Sequence, residues 1–205
     1  DRYRPAAAGH ASLSPRGQTG NDRNARIVRL ADGDILVRPV SLDDAEALFE
    51  AAHESIPEVS QWLPWCHQNY TIEETRAFLS ARTNPVNSEE AYSFGIFSKS
   101  GERFLGGVGL NFFNRVHQMA NLGYWVRTSA TGKGVASRAT RLVARFGFAE
   151  LGLQRIEIIA AVGNVASQRV AEKAGAVREC VARKRLLING EQLDAVVFSL
   201  VPEDL

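Results

Sequence analysis

The spacing of apolar and polar positions changes period several times along the chain, and each change marks an element. Folded patterning starts near Ala25. "DILVRPV" (34–40) predicts a strand. "SLDDAEALFEAAHES" (41–55) changes to helical spacing, with Ser41 as N-cap and Asp43 and Asp44 in the first turn. A second helix is predicted over "TIEETRAFLSAR" (71–82), where Thr71 and Glu74 form a capping-box pattern. Between the two, "IPEVSQWLPWCHQNY" (56–70) is aromatic, broken by prolines, and predicts a link. "AYSFGIFSKSGERFLGGVGL" (91–110) predicts two strands around a short Ser-Gly turn, and "ANLGYWV" (120–126) a further strand. In "VASRATRLVARFGFAELG" (135–152), Ala139, Leu142, Val143 and Phe146 repeat at helical spacing up to a stop at Gly152. "QRIEIIAAV" (154–162) predicts a strand, and "NVASQRVAEKAGA" (164–176) a short helix between Asn164 and Gly175. Asn189-Gly190 predicts a two-residue hairpin turn between the last two strands. The order β-α-α-β-β-β-α-β-α-β-β, without internal repeats, predicts an α/β domain with a mixed sheet.

Composition then narrows the picture. Residues 1–24 hold almost no large apolar side chains, so they cannot bury enough surface to offset the entropy of ordering. A flexible tail or an added sequence is expected there, with a single domain over 25–205. Hydrophobic content of 45% and charged content of 23% are ordinary for a globular protein. A net charge of +1 gives no basis for nucleic-acid binding. No apolar run approaches membrane-spanning length, and the N-terminus lacks the apolar stretch of a signal peptide. Cys66 and Cys180 show no metal-type spacing and predict buried, reduced thiols. Together these predict a soluble cytoplasmic protein with no metal, no membrane and no direct nucleic-acid partner.

The candidate chemistry centres on "RTSATGKGVAS" (127–137). Glycines let backbone N–H groups approach an anion without Cβ obstruction, and a helix directly after them adds the positive end of its dipole. Two common nucleotide signatures are excluded. A Walker A loop needs glycine at 127 and Ser or Thr at 134, where the chain has Arg127 and Gly134. The three spaced glycines of a dinucleotide fold are absent from any early βαβ unit. Taken alone, the loop is equally compatible with a structural turn.

Three further features accompany it in order: Gly123-Tyr124 on the preceding strand, Asn164 with Ser167 after the next strand, and a helix ending at Gly175. With Thr131-Gly132-Lys133-Gly134-Val135-Ala136, this set resembles the Gcn5-related N-acetyltransferases (GNAT), specifically the RimJ/RimL-like branch named for ribosomal-protein N-terminal acetylation, over about residues 26–201. The resemblance implies a mostly antiparallel sheet with a splayed strand pair and helices on both faces, with acetyl-CoA in the wedge between the strands. It implies cofactor contacts from Tyr124, Trp125, Val126, Arg127, Thr131, Gly132, Lys133, Gly134, Val135, Ala136, Asn164 and Ser167. Pantetheine pairs with the edge of the strand 121–126, and the pyrophosphate sits on backbone N–H groups from about Arg127 to Ala136. Lys133 either touches the pyrophosphate or is a solvated loop charge, and Arg138 is a further candidate. Ser167 is the implied proton donor to the departing thiolate. Asn164 is implied to contact pantetheine, a role compatible with capping the helix.

The chain departs from the family pattern twice. Thr131 replaces the usual Gln or Arg, and its hydroxyl can still bond a phosphate. Asn121 occupies the catalytic position where many members carry a Glu general base, and an amide cannot accept an ammonium proton. Glu157, His117 and a chain of waters are the alternatives. Trp62, Trp65 and Tyr70 lie in the region that overhangs the acceptor groove in this family, where they either shape a pocket or form plain core. Asp43, Glu54 and Glu58 add negative charge suited to a cationic amine. The implied function is acetyl transfer to a primary amine, foremost a protein or peptide N-terminus, by a monomer or homodimer. A small-molecule amine as acceptor and a non-catalytic acyl-CoA-binding module remain as alternatives.

Overall fold

The computed structural model describes residues 28–83 and 91–205, and the tail expected over 1–24 lies outside the described residues. The elements run β1 (Leu30–Asp32), β2 (Ile35–Pro39), α1 (Ala45–Glu54), α2 (Ile56–Val59), α3 (Ile72–Thr83), β3 (Tyr92–Ser98), β4 (Phe104–Asn114), β5 (Met119–Val126), α4 (Val135–Leu151), β6 (Arg155–Ala161), α5 (Val165–Ala174), β7 (Val177–Ile188) and β8 (Glu191–Leu200). They build a mixed α/β fold on one sheet in the order β1-β2-β3-β4-β5-β6-β8-β7.

The predicted elements form where expected, with two additions. β1 spans three residues, too short for a periodic signal, and pairs with β2 around Gly33. α2 forms one turn inside the region predicted as a link, because Pro57 falls in the first turn, where its missing N–H has no helical role. The capping box of α3 closes from both sides: Thr71 N–H donates to Glu74 at 2.9 Å, and Glu74 N–H to Thr71 Oγ1 at 3.3 Å. Asn189 and Gly190 both take positive φ, 50° and 83°, as a tight hairpin turn between twisted strands requires.

Alternation along β5 sorts its side chains between two layers. Ala120, Leu122, Tyr124 and Val126 pack into the core formed with Val135, Ala139, Val143 and Phe146 of α4. Trp125 packs on the other face, against the cluster containing Ala45, Leu48 and Ala51 of α1 and Leu79 of α3. The sheet is antiparallel except at β5 and β6, which pair in parallel only at Met119↔Arg155, Ala120↔Ile156 and Asn121↔Glu157. β5 continues to Val126 and β6 to Ala161 without further pairing, so the two strands splay and leave an open edge on β5.

Candidate active site

The loop after β5 divides sharply into two parts. Its first part is bonded inward. Arg127 N–H donates to Leu105 O at 2.9 Å, Thr128 N–H to Ser55 Oγ at 3.1 Å, Ser129 N–H to Glu54 at 2.7 Å, Ala130 N–H to Arg127 O at 2.9 Å and Thr131 N–H to Thr128 O at 3.1 Å. From Gly132 to Ser137 no backbone N–H meets a protein acceptor among the described residues, and the first helical bond of α4 runs from Arg138 N–H to Gly134 O at 3.1 Å. Gly132 and Gly134 hold φ of 75° and 71°, which residues with a Cβ rarely adopt. Val135 is buried in the core and anchors the helix start, while Ala136 follows half-buried. The result is a row of free donors at the positive end of a 17-residue helix, the arrangement that binds phosphate.

Arg127 is displaced from the role the sequence implied. Its side chain is 5% exposed and turns toward α1, where Nε donates to Glu54 at 2.9 Å, Nη2 to Glu50 at 2.9 Å and Nη1 to Phe104 O at 3.2 Å, with a further close bond from Nη2 to Glu54. With backbone and guanidinium both engaged inside the protein, Arg127 latches the loop to α1 and offers nothing to a phosphate. The guanidinium holds the Glu54 carboxyl down to about 2. Thr131 donates its hydroxyl to Thr128 O at 2.8 Å, and Lys133 donates Nζ to Ser129 O at 3.0 Å while remaining exposed. Arg138 pairs with Asp34 at the β1–β2 turn.

On the α4 side of the open strand edge, Tyr124 reaches across to α5. Its hydroxyl donates to Ser167 O at 2.8 Å and lies 3.1 Å from Ser167 Oγ. Burial pushes the phenol up to about 12, so it stays protonated at neutral pH. Asn164 Oδ1 accepts Ser167 N–H at 3.0 Å, which caps α5 and fixes Ser167 at its first turn. Tyr124, Asn164 and Ser167 therefore converge where β5 and β6 part. The Tyr124–Ser167 contact had no sequence signal, because the partners are 43 positions apart.

The opposite face of β5 floors a cavity of about 580 Å³. Trp65 and Tyr70 line it, together with Asn111, Gly107, Gly109 and Gly123. Trp125 lines it too, and its side chain is thereby moved from the cofactor side to this one, because strand alternation places 124 and 125 on opposite faces. Its indole stands edge-on to Trp65 with centroids 5.4 Å apart and fills the space above Gly107, where an added Cβ would come within 2.6 Å of Nε1. Trp62 is not part of the lining; it packs toward Gly163 instead. Asn121 donates Nδ2 to Asn111 Oδ1 at 2.9 Å.

Neither alternative base reaches this cavity. Glu157 is tied to Arg155 at 2.9 Å, and His117 is an exposed residue of the β4–β5 turn. The cavity does hold His67 and Glu74, bonded at 3.0 Å, a pair the sequence did not expose because Glu74 was accounted for as a cap. Cys66 is buried, but Cys180 is exposed on β7, contrary to expectation, because β7 is the last strand of the sheet. Among the described residues no group of three or more His, Cys, Asp or Glu could hold a metal, and no helix is long and apolar enough to cross a membrane.

Residues 34–177, well over half of the chain, match the family described as acetyltransferase (GNAT) domain. The chain belongs to this family. A Bacillus subtilis (strain 168) protein named "Probable N-acetyltransferase YjcK" is 35% identical over 172 residues, which cover 83% of this chain and 95% of that protein. The solved structure of a "putative ribosomal-protein-serine acetyltransferase" from Vibrio cholerae superposes with a TM-score of 0.75 at 32% identity, covering 85% of this chain and 98% of that one. Mycobacterium smegmatis RimJ, solved in complex with CoA-disulfide, shares the fold with a TM-score of 0.75 at 24% identity, covering 83% of each chain. This GNAT chain is an N-acetyltransferase, with the RimJ/RimL-like ribosomal-protein acetyltransferases among its structural neighbours.

Proposed function

We propose that this GNAT enzyme moves the acetyl group of acetyl-CoA to a primary amine, foremost the N-terminal amine of a protein or peptide. The observation that carries the reading is the two-sided use of β5. One side offers an open strand edge, free loop N–H groups and paired hydroxyls; the other offers a walled cavity with a glycine floor. An extended thiol cofactor fits the first side. Its pyrophosphate meets the N–H groups of Gly132–Ser137, and its amides add to the unpaired β5 edge. An amine entering the cavity meets the thioester across the strand.

The chemistry then follows from the groups present. The neutral amine attacks the thioester carbonyl, and a backbone N–H of the open β5 edge steadies the oxyanion. Collapse breaks the C–S bond as the nitrogen gives up its extra proton to solvent. Ser167 Oγ, held beside the Tyr124 hydroxyl, gives a proton to the departing thiolate and is reprotonated through that hydroxyl and solvent. The Vibrio cholerae neighbour, named for a ribosomal protein as acceptor, supports a protein amine here. A cavity of about 580 Å³ also suits a small-molecule amine, and this is the second reading.

The test is thiol release from acetyl-CoA with N-terminal peptides and small amines as acceptors, with the acetylated position located by mass spectrometry. Transfer to peptide α-amines above all other acceptors supports the proposal. Transfer to small amines alone selects the second reading.

A further inference from the structure

We propose that His67, oriented by Glu74, is the base that takes the proton from the incoming ammonium; this rests on the acyl-transfer reading above. The other candidate side chains do not fit this role. Asn121 is an amide already bonded to Asn111, Glu157 is neutralised by Arg155, and His117 lies outside the cavity. His67 lines the acceptor cavity on the side opposite the cofactor edge. Its Nε2 lies 3.0 Å from Glu74 Oε1. Glu74 is itself fixed, because its other oxygen accepts the Thr71 N–H at 2.9 Å. That bond holds the imidazole as the tautomer with hydrogen on Nε2, leaving the Nδ1 lone pair without a protein partner among the described residues. The ring is also steadied edge-on by Tyr70, at 6.1 Å between centroids and 83° between planes.

The remaining charged and titratable residues that line this cavity are Tyr70, Arg82 and Tyr124, the last with its hydroxyl turned to Ser167 on the opposite face. Tyr70 is held neutral by burial and bonds Thr75, and Arg82 stands over Phe78 at 5.3 Å. Tyr124 is committed to Ser167. None of them can take a proton from an ammonium at neutral pH, which leaves the imidazole.

The step balances simply. The ammonium N–H bond breaks and its proton joins Nδ1, directly or through one water; the imidazolium is stabilised by the Glu74 carboxylate. The neutral amine then adds to the thioester carbonyl, the second proton on nitrogen passes to solvent as the C–S bond breaks, and His67 returns its own proton to solvent after the amide has formed.

The test is kcat/KM against pH for the wild-type chain, His67→Gln and Glu74→Gln, each with a peptide bearing an α-amine and with a lysine-like ε-amine. His67 is 45% exposed, so its replacement leaves folding intact, and Gln at 74 preserves a capping partner for α3. The wild type should keep its kcat/KM well below the pKa of the amine. In His67→Gln, kcat/KM should instead follow the neutral fraction of the amine and rise only through the pKa of the amine itself. An α-amine of pKa ~8 is about one-tenth neutral at pH 7, so the loss there should be about tenfold. For an ε-amine of pKa ~10.4 it should exceed a hundredfold, and for both the variants should converge on wild type above the amine's pKa. Glu74→Gln should give an intermediate loss. A purely structural role would not depend on the amine's pKa. A His67→Gln profile that matches the active wild type on both amines overturns the His67 assignment alone. A wild-type chain that acetylates no amine overturns both this inference and the reading beneath it.

Discussion

Replacing Arg127 by Met tests whether the cofactor loop is held from the acceptor side. The change removes the guanidinium that joins Glu54, Glu50 and the Phe104 carbonyl while keeping an unbranched side chain of similar reach. Breaking a buried ion pair by deleting one partner costs about 3–5 kcal/mol. Here the side chain of Glu50 is 72% exposed and that of Glu54 is 29% exposed, so both carboxylates can rehydrate. The loss should fall to about 2–3 kcal/mol. For a domain of this size each kcal/mol moves Tm by about 2–4 °C, so a drop of about 5–10 °C is expected by circular dichroism. The same latch carries the Ser129 and Thr128 N–H groups through Glu54 and Ser55, so the loop should also lose its preset shape. Acetyl-CoA affinity by calorimetry should weaken on the order of tenfold, about 1.4 kcal/mol. Acid supplies an independent reading. The Glu54 carboxyl is depressed from 4.5 to about 2 in the folded protein, so its contribution is complete above the unfolded value and is lost as pH falls through the window down to about 2. The wild type should therefore lose more stability than Arg127→Met across that window. A variant with wild-type Tm, or with an equally steep acid loss, would refute the latch.

Three other predictions address the two sides of β5. Gly123→Leu places a side chain into open cavity space, since a Cβ there meets no atom within 4 Å; KM for the amine should rise at least tenfold, with acetyl-CoA affinity unchanged by calorimetry. Gly134→Glu forces a side chain into φ of 71° and sets a carboxylate among the free N–H groups, so acetyl-CoA binding should be lost in a protein whose circular dichroism remains that of the folded chain. Ser167→Ala should lower kcat by about a hundredfold with little change in acetyl-CoA affinity, because the hydroxyl strengthens its bond to sulfur only as negative charge develops. Steady-state kinetics with equal kcat for variant and wild type would remove Ser167 from the chemistry.

Much of this protein is determined by local rules and was visible in the chain. The helices over 45–54, 72–83 and 135–151, the capping box of Thr71 and Glu74, the Asn189-Gly190 turn and the helix-opening glycine loop each depend on neighbours within a few residues. The resemblance added the splayed strand pair, and the strands do part after Asn121. What the chain could not disclose are the contacts across layers. Arg127 stood beside the glycine loop in sequence and looked like a phosphate ligand, yet the last residues of β5 turn it toward α1, 73 positions away at Glu54. Tyr124 and Trp125 are adjacent, but they serve opposite sides of the sheet once α4 covers one face and α1 and α3 the other. His67 and Glu74 are only seven positions apart, yet their common cavity exists only because β4 and β5 close beneath them with Gly107, Gly109 and Gly123. Hydrophobic period and capping are set by the chain's immediate neighbours. The direction in which a polar side chain finds its partner is set by desolvation and by the layer packed against it, and those are properties of the assembled fold.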